Sequence, residues 1–315
     1  MKLAVVFPGQ GSQRVGMGQD WLQQPAAREV FAEADSALGF PLSKLCFEGP
    51  EEELKLTANQ QPALLTVSWA LYNCVRGLLP PVHYFAGHSL GEYSALVAAG
   101  ALPFADALTT VRERGRLMQV AVAPGEGAMA AVMGLDAGRI AEINAALQHE
   151  LNIVIDIANY NNPEQIVVSG AAAAVAQAIP LYQQAGAKRV IELPVSAPFH
   201  SALMVPAADG LKPRLQALPF AATQVPVIAN LTVQPYPVDP AQYPLLLHAQ
   251  IFNPVRWTES VQYMAASGVT HMLEVGAGKV LRMLAVKITK DIKPTNIEYS
   301  NELDQLKAWL AEAQA

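Results

Sequence analysis

Residues 82–99 constrain the fold most: a short apolar run, Val82-His83-Tyr84-Phe85-Ala86, is followed by Gly87-His88-Ser89-Leu90-Gly91 and then by an alanine-rich stretch over 92–99. The first part suits a buried strand, because branched and aromatic side chains fit a pleated surface, and the last suits a helix, where alanine loses little entropy. A strand that turns into a helix within five residues needs backbone room. The two glycines provide it and lift the serine between them to the tip of a strained turn. Ser89 is therefore the candidate nucleophile. A G-x-S-x-G string alone recurs by chance as a plain turn, and what gives this one weight is the strand before it and the helix after it.

The same grammar opens the chain. The apolar run over 3–7 stops at Pro8-Gly9-Gln10-Gly11-Ser12-Gln13, which reads as a buried strand feeding a loop able to cradle a ligand. A dinucleotide fingerprint would need glycine where Arg14 stands, so that reading loses support. Residues 61–79 suit a buried helix that ends at Pro80-Pro81. Between 125 and 193 the pattern changes. Strands are expected over 128–133, 153–158, 165–169 and 189–193, with helices over 136–148 and 172–185, and the order β-α-β-β-α-β is ferredoxin-like. From Pro194 the larger pattern resumes, with strands expected over 225–230 and 271–275. We therefore expect an α/β body of residues 1–124 and 194–315 carrying an inserted ferredoxin-like subdomain of residues 125–193, with a site in the cleft between them.

Composition excludes several function classes. With 52% apolar and 15% charged residues the chain is too hydrophobic and too weakly charged for extended disorder. Long uncharged stretches such as 56–75 and 215–238 are broken by polar residues or prolines, so no membrane span is expected, and the short apolar start stopping at Pro8-Gly9 suits a cytoplasmic protein. A net charge of −6 argues against nucleic acid as a partner. Cys46 and Cys74 sit in apolar settings that suit buried thiols. Gly278-Lys279 lacks the glycine at 273 that a nucleotide-binding P-loop requires, and HExxH, CxxC and EF-hand patterns are absent, so neither nucleoside-triphosphate binding nor a metal is expected.

A serine hydroxyl needs a base, and the chain offers six histidines: His83, His88, His149, His200, His248 and His271. His83, His149 and His271 suit core or surface roles. His88 adjoins Ser89, where successive side chains diverge, and suits a wall or hydrogen-bond partner. His200 lies in Pro194-Val195-Ser196-Ala197-Pro198-Phe199-His200-Ser201, a loop stiffened by two prolines. Residue type leaves His200 and His248 both open as the base, His200 first. For an oxyanion hole the turn supplies the amide of Leu90, and Gln10 in the first loop is well placed to supply a second, the alternative being a loop residue satisfied by water. Arg112-Glu113-Arg114-Gly115-Arg116 reads on composition as a solvated helix face, yet one arginine turned inward would select a carboxylated acyl group.

Taken together, Phe7-Pro8-Gly9-Gln10-Gly11-Ser12-Gln13, Gly87-His88-Ser89-Leu90-Gly91-Glu92-Tyr93, Arg114-Gly115-Arg116-Leu117-Met118-Gln119 and Ala197-Pro198-Phe199-His200-Ser201 resemble the malonyl-CoA:acyl carrier protein transacylases. The resemblance extends through Asn159-Tyr160-Asn161-Asn162-Pro163, Gln250-Ile251-Phe252-Asn253-Pro254-Val255-Arg256-Trp257 and Glu274-Val275-Gly276-Ala277-Gly278-Lys279. It implies an α/β-hydrolase-like body with a ferredoxin-like insert. It also implies Ser89 as the acylated nucleophile, His200 as its base with Gln250 helping to hold the ring, backbone amides of Gln10 and Leu90 at the oxyanion, and Arg114 as the clamp on a malonyl carboxylate.

The activity so implied is transfer of a malonyl group from malonyl-CoA to an acyl carrier protein by a ping-pong route without a cofactor, in a protein expected to be a monomer. The ring of Phe199 beside the base would crowd an α-methyl group and favour malonyl over methylmalonyl. Two other readings are an acyl hydrolase using the same Ser89 and His200, which a carboxylate clamp at Arg114 disfavours, and a catalytically silent docking module, which the intact serine, histidine and arginine disfavour.

Overall fold

All five residues of the first apolar run are buried, which a strand achieves only in a sheet covered on both faces. In the computed structural model, which describes residues 1–195 and 197–314, this run is β1 (Leu3–Phe7). Ser196, inside the proline-stiffened loop, lies outside the described residues. The chain continues through α1 (Pro25–Leu38), α2 (Leu42–Glu48), α3 (Glu51–Lys55), α4 (Thr57–Val75), β2 (Val82–Gly87), α5 (Gly91–Ala98) and α6 (Phe104–Val120). Next come β3 (Gly127–Met133), α7 (Ala137–Leu151), β4 (Ile155–Asn162), β5 (Gln165–Ala171), α8 (Ala172–Gln184) and β6 (Arg189–Glu192). The remainder holds α9 (Val205–Ala217), α10 (Tyr243–Gln250), α11 (Trp257–Ala266), β7 (His271–Val275), α12 (Val280–Ile288), β8 (Lys293–Ile297) and α13 (Leu303–Gln314).

The fold is mixed α/β with two separate sheets. One is parallel, in the order β2-β1-β7-β8; the other is antiparallel, in the order β4-β5-β3-β6. Alternation along β1 divides the parallel sheet's two cores: Leu3, Val5 and Phe7 pack with Phe85, Leu71 and Tyr72, whereas Ala4 and Val6 pack with Trp257 and Met272. α4, expected over 61–79, runs from Thr57 to Val75 and is buried nearly all round, with Gln60, Gln61, Thr66 and Ser68 among its buried residues. In the antiparallel unit the elements fall close to their expected places, and Asp136 caps α7 by accepting from the amides of Gly138 and Arg139. Among the described residues no helix is long and apolar enough to cross a membrane.

The strand expected over 225–230 is reduced to one bridge beside β2, where Phe85 N–H donates to the Pro226 carbonyl and Ile228 N–H to the Phe85 carbonyl. The ladder stops because the next amides are diverted. Ala229 N–H turns back to Gln234, and Asn230 N–H goes to the carboxylate of Glu92. Cys46 is buried, and Cys74 is only partly so.

The parallel sheet positions the serine turn by direct backbone contact. A Cβ on Gly91 would lie 2.1 Å from the Phe7 carbonyl oxygen, and one on Gly87 would lie 2.0 Å from the Gly91 carbonyl. Neither neighbour is a flexible side-chain end, so β1, β2 and α5 close on one another only with glycine at both places. Gly91→Ala is expected to destabilise the fold by at least about 2 kcal/mol, as overpacking against rigid backbone does. Denaturant unfolding checks this, and a change within about 0.5 kcal/mol, the range of an ordinary surface substitution, would contradict the contact.

Candidate active site

At the tip of the turn Ser89 adopts φ 52°, a conformation an L-residue holds only when its surroundings impose it. Those surroundings are specific. The His88 amide donates to the Phe7 carbonyl at 3.1 Å, tying the turn to β1. Asn230 grips it from the other side: its Oδ1 accepts from the Ser89 amide at 2.7 Å and its Nδ2 donates to the Gly87 carbonyl at 2.7 Å.

Two buried side chains meet the Ser89 hydroxyl. His200 is 4% exposed and places Nε2 2.8 Å from Ser89 Oγ. On the other side of the ring, Nδ1 faces the carbonyls of Gln250 at 3.0 Å and Asn253 at 3.1 Å. Carbonyls only accept, so Nδ1 carries the proton, Nε2 is bare, and the serine hydroxyl donates to it. His200 itself sits at φ 58°, held in a loop where Ser201 Oγ donates to the Pro198 carbonyl at 2.7 Å. Burial, the nearby Arg114 charge and His88 push its pKa down to about 3, against the two carbonyls that favour the charged ring. At neutral pH the ring is therefore an uncharged base.

Arg114, in α6, is fully buried. Its Nη2 donates to Ser89 Oγ at 3.1 Å and to Gln250 Oε1 at 2.9 Å, and Nη1 donates to Gln61 Oε1 at 2.8 Å. Its Nε has no partner among the described residues, and no carboxylate among them lies within ion-pair distance. Burial lowers its pKa, countered by the phenol of Tyr93 and the carboxyl of Glu92. A buried guanidinium bonded only to neutral oxygens is suited to receive an anion, since an ionised partner makes a bond roughly twice as strong. Its neighbours in the arginine run point elsewhere: Arg112 lies over the Phe40 ring and Arg116 pairs with Glu113 on the surface.

Gln250, at the end of α10, joins these groups. Its Nε2 donates to the Ser89 carbonyl at 2.9 Å and to Glu92 Oε2 at 3.0 Å, its Oε1 faces Arg114, and its main-chain carbonyl holds His200. Contact with the imidazole thus runs through the backbone of Gln250, while its amide serves the serine and the arginine. Among the described residues the amides of Gln10 and Leu90 donate to no protein acceptor. The Gln10 side chain is anchored instead, donating to Gln60 Oε1 at 2.5 Å and accepting from Gln61 Nε2 at 3.4 Å.

His88 Nε2 donates to Asn161 Oδ1 at 2.9 Å, its ring lies 6.0 Å from that of Trp257, and burial lowers its pKa, so it is a neutral wall of the site. Phe199 is buried next to His200. His248, the other base considered, pairs with Asp209 at 2.9 Å and makes no contact with the serine. A cleft of about 450 Å³ reaches His200 between α7, β4 and the 252–254 segment, with Asn144, Ile157, Tyr160 and Phe252 in its walls. Sequence reasoning missed Gln61, Glu92, Asn161, Asn230 and Asn253. Glu92 stood directly after the serine motif, and Asn230 ended an expected strand beside it; both positions were available signals.

This arrangement can run acyl transfer: a nucleophile bonded to a neutral base, unpartnered amides on the adjoining turn and loop, and a cation for a carboxylated substrate. Comparison with known proteins agrees with the geometry. The acyl transferase domain family matches residues 4–300. The malonyl CoA-acyl carrier protein transacylase of Bacillus subtilis is 49% identical over 295 residues, spanning 93% of this chain and 92% of that one. A crystal structure of an acyl carrier protein S-malonyltransferase from Vibrio cholerae superposes with a TM-score of 0.94 at 44% identity, covering 97% of this chain and 100% of that one. A malonyl-transacylase solved in complex with a type II PKS acyl-carrier protein gives a TM-score of 0.94 at 39% identity, over 98% of this chain and 99% of that one. The chain therefore belongs to the acyl transferase domain family, among the malonyl CoA-acyl carrier protein transacylases.

Proposed function

We propose that this protein transfers the malonyl group from malonyl-CoA to the phosphopantetheine thiol of an acyl carrier protein, through a malonyl ester on Ser89, and so supplies extender units for fatty acid or polyketide synthesis. The observation that carries the reading is the joint hold of a neutral histidine and a buried arginine with no ion-pair partner on one serine oxygen. The names of the relatives, one of them solved with its carrier protein, support the same substrates.

In this mechanism the malonyl carboxylate pairs with Arg114, which then releases the serine oxygen. Ser89 Oγ gives its proton to His200 Nε2 and attacks the thioester carbonyl, while the amides of Leu90 and Gln10 receive the negative oxygen. Collapse breaks the carbon–sulfur bond, and the imidazolium protonates the departing CoA thiolate. The carrier's thiol repeats the sequence in reverse, so the kinetics are ping-pong. Pairing with the substrate also offsets the Arg114 charge that depresses His200, which strengthens the base once a carboxylated acyl group is seated. Phe199 crowds an α-methyl group and favours malonyl over methylmalonyl. Gln250 orients the base through its carbonyl, and His88 lines the substrate side.

We further read the two sheets as two bodies. One is an α/β-hydrolase-like large subdomain of residues 1–124 and 194–315; the other is a ferredoxin-like small subdomain of residues 125–193. The order β4-β5-β3-β6, with α7 and α8 sharing its apolar core, supports the second. The net charge of −6 supports a protein without a nucleic-acid partner, and we take it as a cytoplasmic monomer.

Incubation with malonyl-CoA is expected to add one malonyl group to the intact protein, read by mass spectrometry, and Ser89→Ala abolishes the adduct. Arg114→Ala is expected to cost roughly 2–5 kcal/mol of malonyl kcat/KM, about 30-fold or more, as loss of one partner of a buried charge pair does. An adduct insensitive to Arg114, or one lost to water faster than to carrier protein, would favour the hydrolase instead. The depressed His200 also predicts a pH profile. Protonation removes the base, and the folded free enzyme is protonated only well below the ordinary imidazole range, so kcat/KM for acylation stays flat from pH 8 to below pH 5. An acid limb centred near 6.5 would contradict the environment assigned to the ring.

A further inference from the structure

Among the described residues Glu92 is the one carboxylate close enough to influence Arg114, and the mechanism above does not use it. It is 1% exposed, on the first turn of α5 behind the serine. Its neighbours are donors. The Asn230 amide donates to Oε2 at 3.0 Å, Gln250 Nε2 donates to the same oxygen at 3.0 Å, and the Tyr236 hydroxyl bonds to Oε1. The Tyr236 hydroxyl donates to Glu92 and has no other side-chain partner among the described residues. Burial pushes the Glu92 carboxyl above its ordinary range, and the three donors, together with the Arg114 charge, oppose that push in favour of the ionised form.

The consequences run outward through two amides. Because Gln250 Nε2 must face Glu92 and the Ser89 carbonyl, its Oε1 is left facing Arg114. Because Asn230 N–H is tied to Glu92, its side chain is set to grip the Ser89 amide and the Gly87 carbonyl. Arg114 is a fully buried cation, and a buried cation is costly without a charge of opposite sign nearby.

We propose that ionised Glu92 is the counter-charge of Arg114 and the positioning residue for Gln250 and Asn230, so that the site's grip on a carboxylated acyl group is weakened by an acid that touches neither that group nor the nucleophile. The inference rests on the reading of Arg114 as the malonyl clamp. Without substrate, Glu92 offsets the buried cation. With malonyl seated, Arg114 faces two carboxylates, and the repulsion keeps the malonyl ester from being held so tightly that the carrier's thiol cannot take it.

Glu92→Gln tests this, because an amide oxygen still accepts from Asn230 and Gln250 while the charge is gone. Removing the nearby negative charge is expected to lower KM for malonyl-CoA roughly three- to tenfold while leaving KM for acetyl-CoA unchanged. It slows malonyl transfer to carrier and lowers the Tm of the free protein, with malonylation restoring more of the Tm than it adds to the wild type. Tyr236→Phe removes the hydroxyl that favours ionised Glu92 and so shifts that carboxyl toward its neutral form, which moves the same readouts in the same direction by less and serves if Glu92→Gln does not fold. A rise in malonyl KM, or equal changes for malonyl and acetyl, would reduce Glu92 to scaffolding and overturn the proposal. The wild type run in parallel separates the two layers: if it does not prefer malonyl over acetyl, the clamp reading fails; if it does and the variants do not tighten, only the Glu92 proposal fails.

Discussion

One serine oxygen, donating to a histidine at 2.8 Å and accepting from an arginine at 3.1 Å, is the point on which the rest of the structure converges. Neither partner is near Ser89 in sequence, and both are buried, so the contact exists only if three separate parts of the fold hold their places. The turn is fixed by close backbone contact with β1 and by Asn230. The histidine is fixed by two main-chain carbonyls, and the arginine by Gln61 and Gln250. Each of these supports is rigid and internal, which is how a site keeps reacting atoms within the small tolerance that acyl transfer requires.

This cluster is costly to fold. It gathers Arg114, Glu92, Gln61, Gln250, Asn230 and His200 in the interior, and hydrogen bonds there do little more than offset the loss of water. Compensation comes from the two apolar cores that flank the parallel sheet, where Phe7, Phe85, Trp257 and Tyr72 are buried. Separate layers thus serve separate ends. The sheet faces supply stability, while the carboxyl ends of β1 and β2 carry the loops of the candidate site, the usual division in an open parallel sheet.

The local grammar of the sequence carried much of this. The serine turn was legible because a strand, two glycines and a helix succeed one another within a few residues, and the β-α-β-β-α-β unit because its periodicity changes at each boundary. Long-range choices were not legible from residue type. His200 and His248 are chemically alike, and only the path of the chain sends one to Ser89 and the other to Asp209. Arg114 read as one of three solvated arginines, yet residues two apart on a helix lie about 200° apart, so the run could not share a face; Arg116 is exposed and Arg112 half-buried over Phe40, while Arg114 faces inward. Asn230 was hidden in an expected strand, because nothing local reveals that its amide leaves the sheet for Glu92.

The central claim is that Ser89, so held, carries the acyl group between two thiols. Exchange of isotopically labelled CoA into malonyl-CoA, with no carrier protein present, tests it most directly. A covalent malonyl ester predicts rapid exchange that disappears in Ser89→Ala. Exchange that requires the carrier, or that survives the loss of the serine, would mean that the group passes directly from one thiol to the other and would contradict the account.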